Sequence, residues 1–478
     1  MRGTWLIRTG MAMVMVAPLA HGQVREPPPV GSAAEPAQPG EPGPDWALRE
    51  RRNYFLPALE IVGFDVLLNL FDRAVLGRRY YTDLATIRRN LRRGWEIDND
   101  PFLVNQLGHP YQGSMYHTFA RSSGMNWWES AVYTFLGSAF WEIAGETTRA
   151  SLNDQITTGI GGSFLGEVLF RVASLVLENA GGSPNDAVER TAFALAPATG
   201  FNRQVFGRRF DEVLPSRAAV YYRRLQLGAG HAFREDPGTS TRRRPEEVSV
   251  DLAIEYGLPG HPGYSYRRPF DYFALEARAS TAAGFESLLS RGLLLGREYA
   301  LGPGYRGVAG LYGVYDYISP VSFRVSTTAL ALGTTAQWWL ADRVAWQGTV
   351  LAGTGYTAVG TVDGDDSEPG HHYGISPHAL ASSRFILGNR VSLDLTAREY
   401  WVSNVAAGTT PEGHDRIDRW DASLTWRLGA QQAVTLKYLR SGRDAFYPGL
   451  GHREQVRASV GLLVTFLGHD RMGAVDWR

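Results

Sequence analysis

The chain has 478 residues, with Lys plus Arg and Asp plus Glu balanced at 48 each, 54 glycines, 12% aromatic residues and no cysteine. That balance, with no basic stripe, removes the electrostatic footprint of nucleic-acid binding. The missing thiols exclude disulfides, thiolate metal sites, a cysteine nucleophile and a lipid-modified N-terminal cysteine.

Arg2 and Arg8, the apolar run from Met11 to Ala20, and Ala20-His21-Gly22 before Gln23 read as a signal peptide over 1–22. Its apolar run falls short of the roughly 20 residues that a helix needs to cross a bilayer. Residues 23–45, rich in Pro, Gly, Ala and Glu, bury too little to fold and read as a linker.

A helical domain is expected over 46–213. Leu56, Leu59, Val62, Phe64, Val66, Leu67, Leu70 and Phe71 make a broad apolar stripe between Phe55 and Gly77. Two further helices are expected, from Asn126 to Ala144 and from Asp154 to Glu178. Ser130 to Trp141 carries no charge, and Glu167 and Arg171 are the only charges between Gln155 and Leu177. Such helices are buried or lie against lipid, and neither uncharged run has the length of a transmembrane helix. Gly159, Gly162 and Gly166 share one helix face. Each glycine costs about 1 kcal/mol against alanine in a helix, so a close backbone neighbour is expected there.

From 216 to 467 the pattern changes to period 2, as in a barrel strand that alternates between lipid and lumen. Val248, Val250, Leu252, Ile254 and Tyr256 alternate with Ser249, Asp251, Ala253 and Glu255; Val391 to Arg398 and Arg419 to Leu428 repeat the dyad. The expected fold class is α+β: an N-terminal helical domain followed by an antiparallel transmembrane β-barrel of about 12 strands, each of about 9 to 12 residues. A soluble β-sandwich also alternates. Charges of both signs on the polar face suit a water-filled lumen better, and Trp338, Trp339, Trp346, Tyr400, Trp401, Trp420 and Trp426 supply interfacial girdles. The acidic stretch Thr361 to His372 reads as an extracellular loop. Ser459-Val460-Gly461-Leu462-Leu463-Val464-Thr465-Phe466 resembles the C-terminal signal by which outer-membrane barrels are recognised for assembly. The expected surroundings are therefore outer-membrane lipid and, during biogenesis, the barrel assembly machinery. The tail, 468–478, is expected to return to the periplasm, and the helical domain to face the periplasm at the barrel mouth, partly plugging the lumen.

The densest polar motif is Asn105 to His117, which includes His109-Pro110-Tyr111-Gln112-Gly113-Ser114, followed by Trp128-Glu129, Trp141-Glu142, Gly145-Glu146 and Ser151-Leu152-Asn153-Asp154. Over about Asn99 to Arg171 these residues resemble domain-of-unknown-function family 3943 of Gram-negative envelope proteins. The resemblance implies an exported, membrane-associated protein and supplies no activity. Candidate catalytic residues are His109, His117, Glu129, Glu142, Glu146, Asn153, Asp154 and Glu167. Carboxylates with an imidazole hold a divalent metal or run acid–base chemistry, although the spacing matches no recognised metal signature, and no cofactor is required by the sequence. Against this stands a structural reading. Glu142 and Glu146 would pair with Arg121 or Arg149, Asn153 and Asp154 would cap a helix, and Glu167 with Arg171 would form an i, i+4 pair. His378 and Ser382, about 13 Å apart on one strand face, form no dyad. The function expected is structural or transport-related; the alternative is an envelope hydrolase or lipid-modifying enzyme.

Overall fold

The computed structural model describes residues 52–98, 100–179, 185–207, 210, 219–235, 246–361, 371–403, 413–447, 451–468 and 471–477. The expected signal peptide and linker and most of the Thr361-to-His372 stretch lie outside the described residues.

The helices are α1 (Phe55–Val75), α2 (Leu84–Arg92), α3 (His109–Ser122), α4 (Trp127–Phe140), α5 (Leu152–Ile156), α6 (Gly162–Asn179), α7 (Asp186–Leu195) and α8 (Pro197–Phe206). Wide π-turns at Val104–Gly108, Trp141–Gly145 and Thr157–Gly161 precede α3, follow α4 and join α5 to α6. The strands are β1 (Val220–Glu235), β2 (Glu246–Tyr256), β3 (Phe273–Ser280), β4 (Gly284–Ala300), β5 (Tyr305–Ile318), β6 (Phe323–Ala341), β7 (Val344–Thr361), β8 (His371–Leu387), β9 (Val391–Ser403), β10 (His414–Arg427), β11 (Gln432–Tyr447) and β12 (Gly451–Leu467). They form one closed antiparallel barrel in which β1 pairs with β12, so no strand edge is left unpaired.

Strands run up to 19 residues, longer than the dyads alone indicate. The extra length is polar on the outer face near one rim, where Arg416 pairs with Glu399 and Arg440 with Asp418. Below it the outer face is apolar: Trp420, Leu424, Trp426, Leu436, Leu462, Val464 and Phe466 are exposed. Tyr400 and Trp339 leave the girdle. Tyr400 donates to Asp316 inside the lumen, and the Trp339 indole donates to the Val475 carbonyl.

The lumen is filled. Arg278 on β3 binds Glu247, Asp251 and Glu286 at 2.5 to 2.9 Å, and Lys437 on β11 reaches Asp251 on β2 at 3.1 Å. Arg384 on β8 reaches Glu255 on β2 at 3.0 Å, across to the opposite wall of the barrel. The tail does not leave the barrel as expected. Gln337 exchanges hydrogen bonds with the Val475 backbone and Gln347 donates to the Gly473 carbonyl, so Met472, Ala474 and Val475 are buried. Two lumen cavities, about 10 and 50 Å³, hold a few waters at most.

The helices do not plug the mouth. On β5 the even residues Val314 and Asp316 line a lumen cavity, so Gly313 and Tyr315 point outward. Those outward residues meet the helices: a Cβ at Gly313 would touch the Phe164 ring, and the Tyr315 hydroxyl donates to the Gln106 carbonyl at 2.6 Å. Likewise Gly161 sits on Thr328 of β6, and Tyr373 of β8 accepts from Asn105 and Asn153 at 2.7 and 3.0 Å. The helical domain is therefore packed against the outside of the barrel wall.

At its centre, Leu152–Glu178 is continuously helical. Among the described residues it is the one helix long and apolar enough to cross a membrane by length and composition, and 89% of its most apolar window is buried inside the protein. The glycine spacing has the expected consequence at two of three positions. Gly162 lies against Gly113 of α3 and Gly166 against Ser114 and His117, whereas Gly159 faces the Phe135 ring. A Cβ on Gly162 would stand 2.6 Å from Gly113 Cα, a backbone atom that cannot swing aside. Gly162→Ala is therefore expected to destabilise by about 1–3 kcal/mol through overpacking. The readout is a lowered melting temperature of helical circular dichroism; an unchanged transition would show that the helices part freely.

Candidate functional site

Three π-turns bring the central polar residues together. His109 begins α3 directly after the first, Glu142 lies within the second, and Asp154 sits on α5 before the third. One ligand atom from each of His109, Glu142 and Asp154 lies within 4.8 Å of the others, and all three side chains are buried. His109 Nε2 stands 3.5 Å from Asp154 Oδ2, while its Nδ1 meets Thr158 Oγ1 at 3.1 Å. Glu142 Oε2 accepts the Ser151 amide at 2.8 Å; Oε1 is buried with no hydrogen-bond partner.

A shell of amides surrounds them. Asn153 donates to Asp98, Asp154 and the Tyr373 hydroxyl, and Asn105 donates to Asp98 at 2.7 Å. Ser151, and neither Asn153 nor Asp154, caps α5, because its hydroxyl accepts the Asp154 amide. That frees the Asn153 and Asp154 side chains for the cluster. Glu146 pairs with Arg79 at 3.2 Å and accepts from the Trp141 indole, rather than meeting Arg121 or Arg149. Arg149 instead pairs with Glu96.

The other candidates lie elsewhere. His117 is eight residues beyond His109, about 12 Å along the helix axis. It bonds Glu167 at 3.2 Å, and Glu167 also takes Arg121 at 2.7 Å and Arg171 at 2.8 Å. This is a closed ion network with no exposed member, far from an ordinary surface i, i+4 pair. Glu129 completes a capping box with Asn126 at the start of α4 and pairs with Arg52 at 3.1 Å. His378 points into the lumen, stacked on Tyr400. Sequence reasoning placed Asn105 in the polar motif without assigning it a role, and missed Asp98, Thr158 and Tyr373 as members of the cluster. Tyr373 lies 220 residues from Asn153 on a barrel strand, and no local spacing reveals such a partner.

Residues 94–198 match the family described as Domain of unknown function (DUF3943). The match spans His109, Glu142 and Asp154 with Asp98, Asn105, Asn153 and Thr158, and leaves out Tyr373 of the barrel. No curated protein matches the chain. Among solved structures, the NanC porin is 8% identical and aligns over 51% of this chain and 98% of its own, with a TM-score of 0.28. An outer-membrane channel from Pseudomonas putida F1 is 12% identical over 54% and 97%, TM-score 0.25. The KdgM porin is 8% identical over 52% and 99%, TM-score 0.22. The closed 12-stranded barrel with its apolar outer band is of the outer-membrane type.

Proposed function

We propose that the barrel serves as a closed scaffold that holds the helical domain within the outer membrane, rather than as a solute channel. The observation that carries this is the inverted surface of the helices. On α1, Asp65, Asn69 and Asp72 are buried while Phe55, Leu59, Val66, Leu67, Leu70 and Phe71 are exposed, Leu67 at 68%. Two of these inward groups are hydrogen-bonded within the domain: Tyr116 donates to Asp65 Oδ1, and Asn69 donates to the Tyr80 and Gly145 carbonyls. α4 repeats the pattern, with Ser130, Thr134 and Ser138 inside and Trp128, Val132 and Leu136 outside. A water-soluble helix does the opposite. The apolar surface is continuous with the lipid-facing barrel wall, since exposed Leu330 stands two residues from helix-covered Thr328 on one strand face.

The absence of native cysteine makes the test direct. In lipid nanodiscs, which leave both membrane faces open, Leu67→Cys and Leu136→Cys are expected to resist a membrane-impermeant maleimide. Arg343→Cys, in the exposed β6–β7 turn, should react. Equal labelling at all three positions would place the helices in water and end the proposal. One observation favours a second reading, a lipid-modifying enzyme: the convergence of His109, Glu142 and Asp154 within the lipid-side domain.

A further inference from the structure

We propose that His109, Glu142 and Asp154 form a binding site for a divalent transition metal inside the helical domain. The donor set is one imidazole and two carboxylates, a combination suited to zinc and its neighbours. Their ligand atoms already lie within 4.8 Å of one another, and the 3.5 Å between His109 Nε2 and Asp154 Oδ2 is close to the about 3.3 Å separating donors around tetrahedral zinc.

Two further features point to a cation. Glu142 is 3% exposed, yet its Oε1 has no hydrogen-bond partner within the protein, and an orphaned carboxylate oxygen in a buried site is costly unless something meets it, as a cation would. The cationic side chain nearby, Arg79, is committed to Asp100 and Glu146. The second feature is the orientation of His109. Its Nδ1 is held at Thr158 Oγ1, and a proton on Nδ1 donated to that hydroxyl leaves the Nε2 lone pair facing Asp154. Metal-binding histidines are held this way through the ring nitrogen that does not ligate. The Ser151 amide on Glu142 Oε2 and the Asn153 amide on Asp154 fix the carboxylates in the same sense. Three protein donors leave zinc's fourth position open, as in sites that keep a water or substrate there. The site does not depend on whether the outer helices touch lipid.

The test uses the full chain without an affinity tag, purified in detergent, stripped with a chelator and re-equilibrated with zinc or cobalt. Elemental analysis is expected to give one zinc per folded chain, and cobalt to give visible absorption bands of a low-coordinate site. Glu142→Gln, of unchanged shape, and His109→Ala should each weaken zinc binding at least tenfold, while Glu129→Gln, at the α4 cap, should bind as the unaltered chain does. Helical circular dichroism reports whether the helical domain of each variant folds. Folded, unaltered protein that takes up neither metal overturns the proposal. So does zinc retained equally by Glu142→Gln and His109→Ala, which would mark adventitious surface binding.

Discussion

Replacing Glu167 by alanine is expected to cost about 3–5 kcal/mol of helical-domain stability, the range for breaking a buried ion pair by removing one partner. Glu167 is fully buried and receives Arg121 Nε at 2.7 Å, Arg171 Nε at 2.8 Å and His117 Nε2 at 3.2 Å. Its loss leaves two guanidinium groups buried together. Arg171 keeps the Pro269 carbonyl at 2.8 Å and Asp271 at 3.6 Å, and Arg121 keeps the Met125 carbonyl at 2.5 Å. Neither guanidinium can turn to water, because both side chains are at most 2% exposed. Glu167→Gln keeps the volume and removes only the charge, so it separates electrostatics from the cavity; most of the loss is expected to persist in it. Because Arg171 also joins the helices to the β2–β3 connection, helical circular dichroism should fall at lower denaturant than barrel migration on gels changes. If both transitions stay within about 0.5 kcal/mol of the unaltered chain, the network is a bystander.

The barrel was legible because its signal is local. Val248 to Tyr256 and Trp420 to Leu428 alternate residue by residue, and which of them face outward from the barrel follows from the period alone. The β-signal likewise lies in β12, with Val460, Leu462, Val464 and Phe466 outward and Thr465 inside, bonded to Gln226. Where the helices sit was not legible. An apolar stripe reads the same whether it faces a core or lipid, and Phe55 to Gly77 reveals its inversion only once Asp65 and Asn69 are seen to point inward. The close approach at Gly162 was readable from spacing, but its partner Gly113 was not. In the polar cluster, residue types were readable and convergence was not. His109, Glu142 and Asp154 come from three separate helical segments, and the π-turns that rotate them inward leave no mark in a 3.6-residue pattern.

The second large effect is expected in the lumen, and it separates a scaffold from a channel. Arg278 holds three carboxylates at once, Glu247, Asp251 and Glu286, while Arg419, Arg457 and Lys437 each hold one of the same three from other strands. Removing Arg278 leaves these three buried acids with one ion-paired cation apiece, which is costly for carboxylates out of water. Arg278→Ala should therefore lower barrel stability by about 3–5 kcal/mol, as breakage of a buried pair does. Carboxylates released from their partner draw water in, so the variant should also gain flickering ion conductance in planar bilayers. The unaltered chain should show none, because Arg384 spans the lumen to Glu255 and the Val475 backbone is clamped by Gln337. Truncation before Arg471 tests the same closure from the other side. It removes the clamp without touching any strand, so conductance should rise while heat-modifiable migration stays near normal. Steady conductance from the intact protein would contradict a filled lumen and restore the channel reading, since wall-to-wall ion pairs and a folded-in tail cannot coexist with an open path.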